Sequence, residues 1–202
     1  MEFMIKRLAI AAIAFVAATA PAFAHLDPTE NGSFLAGFSH PLFGLDHILA
    51  MVAVGLWAAM IGGRAVWIVP TAFVGTMVAG FLLALLDAPL PFVEPVILAS
   101  VVVLGLLVAA AVNVPAALGA VLVGAFALFH GQAHGGEIGV AAAAPYLLGF
   151  AIATTLLHCA GIALGLALGS GVGLGRETGR RIAQGAGALC AATGIGLFAG
   201  VL

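Results

Sequence analysis

The chain has 202 residues, of which 64% are hydrophobic and only 7% charged, with a formal net charge of −2. Water-soluble domains carry about 25% charged residues, so this chain has too few polar side chains to face water all round, and lipid is its expected solvent. So weak a net charge gives no electrostatic footprint for nucleic acid, which is excluded as a partner.

The N-terminus reads as a targeting segment. Lys6 and Arg7 form a basic region, Leu8 to Thr19 an apolar one, and Ala22-Phe23-Ala24 a small-residue cleavage site. This is the order of a secretory signal peptide. Residues 1–24 are therefore expected to be removed, leaving 25–202 as a single domain with His25 at its N-terminus. A free α-amine beside an imidazole, with Asp27 close by, is a candidate metal chelate.

Six apolar stretches follow, each near the roughly 20 residues that a membrane-spanning helix needs. The predicted spans are Ser33 to Ile61, Ala65 to Leu86, Phe92 to Val112, Pro115 to about His134, Pro145 to Leu168, and Ile182 to Leu202. Gly62-Gly63, the Asp87–Pro91 stretch and Asn113-Val114-Pro115 supply breaks. The Gly-rich segment Gly169 to Gly179 reads as a loop. The runs are too long and too uniformly apolar for the alternating strands of an outer-membrane barrel. The fold class is thus all-α, a polytopic bundle of six transmembrane helices after a cleaved signal.

The 28 glycines suit such a bundle, because small residues let helix backbones approach closely in lipid. They also leave the oligomeric state open, since Gly-rich faces pack within one chain or between two copies. Cys159 and Cys190 both lie in apolar runs and are expected to pack rather than to form a disulfide. With the mature N-terminus outside the inner membrane of a bacterium, Arg64, Arg176, Arg180 and Arg181 all fall in inner loops, as the positive-inside rule requires. Asp27, Glu30, Asp87, Glu94 and Glu137 then fall at or near the outer face, forming an acidic mouth that concentrates cations.

The chemistry is carried by two clusters. The first span contains His40-Pro41-Leu42-Phe43-Gly44-Leu45-Asp46-His47. In an unbroken helix His40 and His47 would share a face two turns apart. Pro41 and Gly44 are expected to disturb the helix and shorten that gap. Asp46 is placed either to bind metal directly or to accept the second N–H of a neighbouring imidazole. The fourth span ends in Phe129-His130-Gly131-Gln132-Ala133-His134-Gly135-Gly136-Glu137. His130 and His134 stack on one face at i and i+4, and Glu137 continues that face. Imidazole with carboxylate suits nickel, cobalt, zinc or copper better than magnesium or calcium. His158, midway along the fifth span, is a further candidate ligand or gate, because ionisable groups within the membrane are costly and usually line a path.

Together the two motifs resemble those of the HupE/UreJ family of nickel/cobalt permeases, and the likeness covers essentially the whole mature chain. The resemblance implies a cleaved signal, about six helices, and import of nickel, with cobalt next, across the inner membrane. It also implies that His40, Asp46, His47, His130, His134 and Glu137 are the transport residues. The ion is then cargo (nickel, cobalt or zinc) rather than a permanent cofactor. With no Walker A loop present, ATP hydrolysis by this chain is not expected, and neither is enzymatic activity. The rival readings are an intramembrane zinc-dependent hydrolase, a haem-binding electron carrier, and a membrane metal-binding or sensor protein without flux.

Overall fold

The computed structural model describes residues 32–171 and 175–201. The expected signal peptide, and with it His25 and Asp27, lies outside the described residues. Among those described there are only helices: α1 (Ser33–Phe43), α2 (Leu45–Ile61), α3 (Ala65–Leu85), α4 (Val93–Ala109), α5 (Ala116–Gly136), α6 (Ala143–Ser170) and α7 (Arg176–Phe198).

Three of them, α3, α5 and α6, are long and apolar enough to cross a membrane. The predicted first span is not one continuous helix. It divides at Gly44 into α1 and α2, which meet at an angle of 79°. Pro41 withdraws one amide from the ladder near the end of α1. Gly44 then turns extended, with φ −84° and ψ 114°, and caps α2. The shorter apolar α4 has 17 residues.

The sixth helix of the sequence reading starts earlier than expected. Arg176 to Arg181, assigned to a loop, form the first turns of α7. Glu177 accepts hydrogen bonds from Arg180 three residues on and from Arg181 four residues on, the spacing that stabilises a helix surface. Both arginines hold its carboxyl below the usual range. The Gly-rich composition was a poor guide here, because one acid with bases three and four residues on supplies the missing local preference.

Glycine explains how the bundle closes. A methyl group added at Gly55 of α2 would lie on the carbonyl oxygen of His158 in α6, and one at Gly161 of α6 on that of Val52 in α2. Gly80 of α3 and Gly131 of α5 meet Leu128 and Met77 in the same reciprocal way. Gly37 and Gly149 do so between α1 and α6, facing the carbonyls of Tyr146 and Phe34. In each case backbone touches backbone, the close approach that dispersion and Cα–H···O contacts reward in lipid.

These contacts set directions. From Gly119 against Val69 to Gly135 against Ala84, residue numbers of α5 and α3 rise together, so the two run parallel. The same holds for α2 and α6, from Gly55 against His158 to Ala59 against Gly165. The charges consequently separate. Met60, Asn113, Arg176 and Arg180 line one cavity at one end of the bundle, with Arg64 in the adjoining α2–α3 turn. Asp87 follows α3 and Glu137 follows α5 at the other end, with Glu94 in the first turn of α4. Between the ends lies a core built around Trp57, Phe73, Met51, Met77 and Leu104, all fully buried. The Trp57 indole N–H donates to Val112 O at 2.8 Å and ties the end of α2 to the α4–α5 connection.

Candidate metal centre

The break at Gly44 gathers the two motifs. His40 and His47 would stand about 10 Å apart along an unbroken helix; instead their ring centroids lie 6.2 Å apart, edge to face. From α5, His134 inserts between them, 4.5 Å from His40 and 4.6 Å from His47. His130, one turn deeper, is 4.9 Å from His47. Four imidazoles therefore touch in series, although two come from α1 and α2 and two from α5.

Exposure falls along this series. The Glu137 side chain is 56% exposed and that of His40 17%, whereas His130 and His134 are buried. Glu137 is the C-cap of α5 rather than part of its face, because the helix ends at Gly136. It still reaches the group: Oε2 lies 3.8 Å from His40 Nε2. His40, His134 and Glu137 offer ligand atoms all within 4.8 Å of one another. A tetrahedral shell with metal–nitrogen bonds of about 2.0–2.1 Å has edges of about 3.3 Å, so the triad would draw inward around an ion.

Hydrogen bonds fix the state of each buried ring. His47 Nδ1 lies 2.9 Å from Asp46 Oδ1. With Asp46 ionised, Nδ1–H donates and Nε2 keeps its lone pair. His134 Nε2 lies 2.7 Å from that nitrogen, so it must supply the hydrogen, which leaves His134 Nδ1 bare. In α4, Ser100 Oγ donates its hydrogen to Ile97 O at 2.6 Å. It can then only accept from His130 Nε2 at 3.0 Å, and His130 Nδ1 is bare as well. His158 Nδ1 donates to Met51 O at 2.8 Å, a backbone carbonyl that can only accept, so its Nε2 is bare. The three bare nitrogens, His130 Nδ1, His134 Nδ1 and His158 Nε2, are buried with no hydrogen-bond partner.

A buried polar atom without a partner costs about 1–3 kcal/mol. Each of these three rings has the form of a metal ligand: a bare nitrogen in front and, on the opposite nitrogen, a partner that sets its tautomer. Asp46 orients in this way, accepting from His47. Gly44 makes room for the pair, since a Cβ there would lie 3.0 Å from both Asp46 Oδ1 and His47 Nδ1.

Not every candidate joins. The fully buried Phe73 ring lies 5.6 Å from His130 and 5.0 Å from His158, so an apolar side chain stands between the four-histidine series and the fifth. Cys159, beside His158 in the sequence, is exposed, and both cysteines are free thiols. Ser100, Phe73 and Phe150, whose ring centroid is 4.0 Å from that of His134, are site residues that the motifs do not mark. Of these, only Ser100 left a sequence signal, as a lone hydroxyl inside an apolar span. Gln132, within the second motif, buries its Oε1 without a partner.

Fold and site together define an all-helical protein in which apolar helices of membrane-crossing length enclose a histidine–carboxylate cluster. The profile of the HupE / UreJ protein family matches residues 13–197, and the chain belongs to that family. It is similar to protein HupE of Rhizobium leguminosarum bv. viciae, with 44% identity over 189 residues that cover 93% of this chain and 95% of the relative. No solved structure matches the chain.

Proposed function

We propose that this protein imports a divalent transition metal, nickel first and cobalt next, across the bacterial inner membrane. The observation that carries the reading is the set of bare, buried imidazole nitrogens at the end of a histidine series that begins at an exposed carboxylate. In this reading α4 and α7 join the three long helices and the broken α1–α2 pair to make six spans after a cleaved signal. The end bearing Glu137, Glu94 and Asp87 faces outward and the arginine end inward. Glu137, His40 and His134 take the hydrated ion first, and His25 and Asp27 hand it to them. The ion then sheds water to His47, His134 and His130. Asp46 holds the His47 tautomer, and His158 receives the ion beyond Phe73. Metal ions and protons compete for the same lone pairs, so loading weakens at acid pH.

The test is uptake of nickel, cobalt and zinc into sealed vesicles containing wild-type protein or the His130→Ala, His134→Ala or Asp46→Asn variant. The expected result is entry of nickel above empty vesicles for the wild type and loss of entry in both alanine variants. No entry above empty vesicles refutes transport, and saturable binding without entry makes the chain a metal-binding protein. Flux that survives all three substitutions refutes the site.

A further inference from the structure

The glycine crossings repeat in detail. Val52, Gly55 and Leu56 of α2 meet His158, Gly161 and Ile162 of α6: Gly55 faces the His158 carbonyl and the Ile162 amide, and Gly161 faces the Val52 carbonyl and the Leu56 amide. On the other side of the bundle, Gly131 faces the Met77 carbonyl and the Phe81 amide, and Gly80 faces the Leu128 carbonyl and the Gln132 amide. The spacing within each set is the same. So α5 takes the place of α2, and α3 that of α6, residue for residue.

The third pair closes on itself. Gly105 of α4 meets Gly187 O and Ala191 N of α7, and Gly187 meets Gly105 O and Ala109 N. Gly194, further along α7, lies against Val101 and Val102, earlier in α4, so these two helices run antiparallel. An operation that exchanges two antiparallel helices is a two-fold axis perpendicular to them. At these three crossings the halves α2-α3-α4 and α5-α6-α7 are therefore related by an axis across the bundle, while the packing outside them is unequal: α2 packs on α4, but α5 does not pack on α7. Inverted repeats of this kind underlie alternating access in secondary transporters. α1 has no helical counterpart, because the residues before α5 form a loop.

The correspondence assigns partners to the site. His47 and His130 take the positions of Val123 and Val54, and His134 that of Ala58; all three apolar counterparts are fully buried. They mark a place at the arginine end where the same backbone geometry carries no ligand. At the crossing of α3 and α6, Phe73 corresponds to Thr154 and Met77 to His158. These four meet crosswise: Phe73 lies 5.0 Å from His158, and the Thr154 hydroxyl lies 3.7 Å from Met77 Sδ. On the arginine side of this crossing, a cleft of about 350 Å³, open on the outside of the bundle where Trp67, Thr155 and Cys159 are exposed, separates Val66, Pro70 and Val74 of α3 from Thr155, His158 and Ile162 of α6, so packing there is loose.

From this we infer that the α3–α6 crossing, Phe73 and Met77 against Thr154 and His158, is the gate of the transport path, and that it opens onto a second, ligand-poor chamber bounded by Val54 and Val123. The inference rests on the transport reading. It explains how one path binds at one end and releases at the other: the halves exchange conformations, while only one chamber holds imidazoles.

The experiment uses the full-length protein with Cys159 and Cys190 replaced by alanine, carrying Val54→Cys, Val123→Cys or, as control, Val108→Cys. Val108 is equally buried but lies on α4, away from the gate. A cationic, membrane-impermeant methanethiosulfonate is applied to the arginine side or, separately, to the opposite side of sealed vesicles with and without nickel, and nickel entry is measured on the same vesicles. An inward-open state populated at about 0.1–10% exposes the first two sulfurs but not the third. The expected result is labelling of Val54→Cys and Val123→Cys about tenfold or more faster than Val108→Cys, at a rate that nickel alters. Each valine is tested alone, and valine to cysteine is close to isosteric, so one folded variant suffices. Labelling no faster than the control, in vesicles that carry nickel, overturns the gate and leaves transport standing. Equally fast labelling from both sides at once means an open pore and also overturns it. Fast one-sided labelling in wild-type-like vesicles that carry no metal supports the gate and refutes the cargo reading.

Discussion

Replacing Asp46 with asparagine tests the logic of the histidine series at its anchor. The carboxamide is the same size and keeps an oxygen for His47 Nδ1–H, so the fold and the 79° break should survive. What is lost is the charge behind the imidazole. In the wild type that charge makes His47 Nε2 a stronger acceptor of the hydrogen bond from His134 at 2.7 Å and a stronger ligand for an ion that takes the place of the shared hydrogen. To admit a metal the two nitrogens must separate to about 3.3 Å, an opening of about 0.6 Å, and the hydrogen must pass from His134 Nε2 to the bare Nδ1 of the same ring. Orienting partners of metal-bound histidines contribute about 10–100-fold in affinity, or about 1.4–2.7 kcal/mol. The assay is calorimetric titration of purified protein with nickel in two buffers of different ionisation enthalpy, which yields affinity and proton release together. Asp46→Asn should weaken binding within that range without changing the stoichiometry. His134→Ala should weaken it further. In the wild type, binding at neutral pH should release no proton, since the hydrogen stays within the His134 ring. Unchanged affinity in either variant, or proton release by the wild type on binding at neutral pH, would refute the account of the shared hydrogen.

Other consequences are directional. Apparent nickel affinity should be level near neutral pH, where the buried rings are uncharged, and should fall in acid as protons take the same bare nitrogens, by about tenfold per unit for each proton displaced; a steep fall already at neutral pH contradicts loading through bare imidazole nitrogens. Ser100→Ala strands the His130 Nε2–H in the core at a cost of about 1–3 kcal/mol, visible as earlier thermal unfolding. Nickel affinity should fall with it, because the ring is no longer held to one tautomer. Gly131→Val places a side chain on the Met77 carbonyl and should destabilise by about 1–3 kcal/mol or more, whereas the same change at Gly136, which meets nothing, should be tolerated in detergent unfolding assays.

Much of this was legible in the sequence. Pro41 and Gly44 announced the break, because one lacks an amide and the other tolerates a bend, and His130 and His134 at i and i+4 announced a shared face. The long helices fell where hydropathy put them, since lipid leaves the backbone no other way to satisfy itself. What escaped was long-range. The partner of His130 is a serine on another helix, and that of His158 is the backbone oxygen of Met51, which no side-chain pattern records. Phe73 looked like any other apolar residue until two imidazoles were seen on either side of it. The two halves share almost no side-chain identities, so their relation was invisible until backbones were compared at Gly55, Gly80, Gly131 and Gly161.

Those four glycines also constrain how the protein can change. Every substitution adds volume, and at these positions the added atoms meet main chain, which has no alternative rotamer to offer. Selection for a different ion is therefore free to work on the rings and carboxylates of the chamber but has no room to work at the crossings. A saturating mutagenesis screen of this gene should show tolerance and intolerance as two interleaved maps. Cargo preference would be plastic over a framework that accepts no edits.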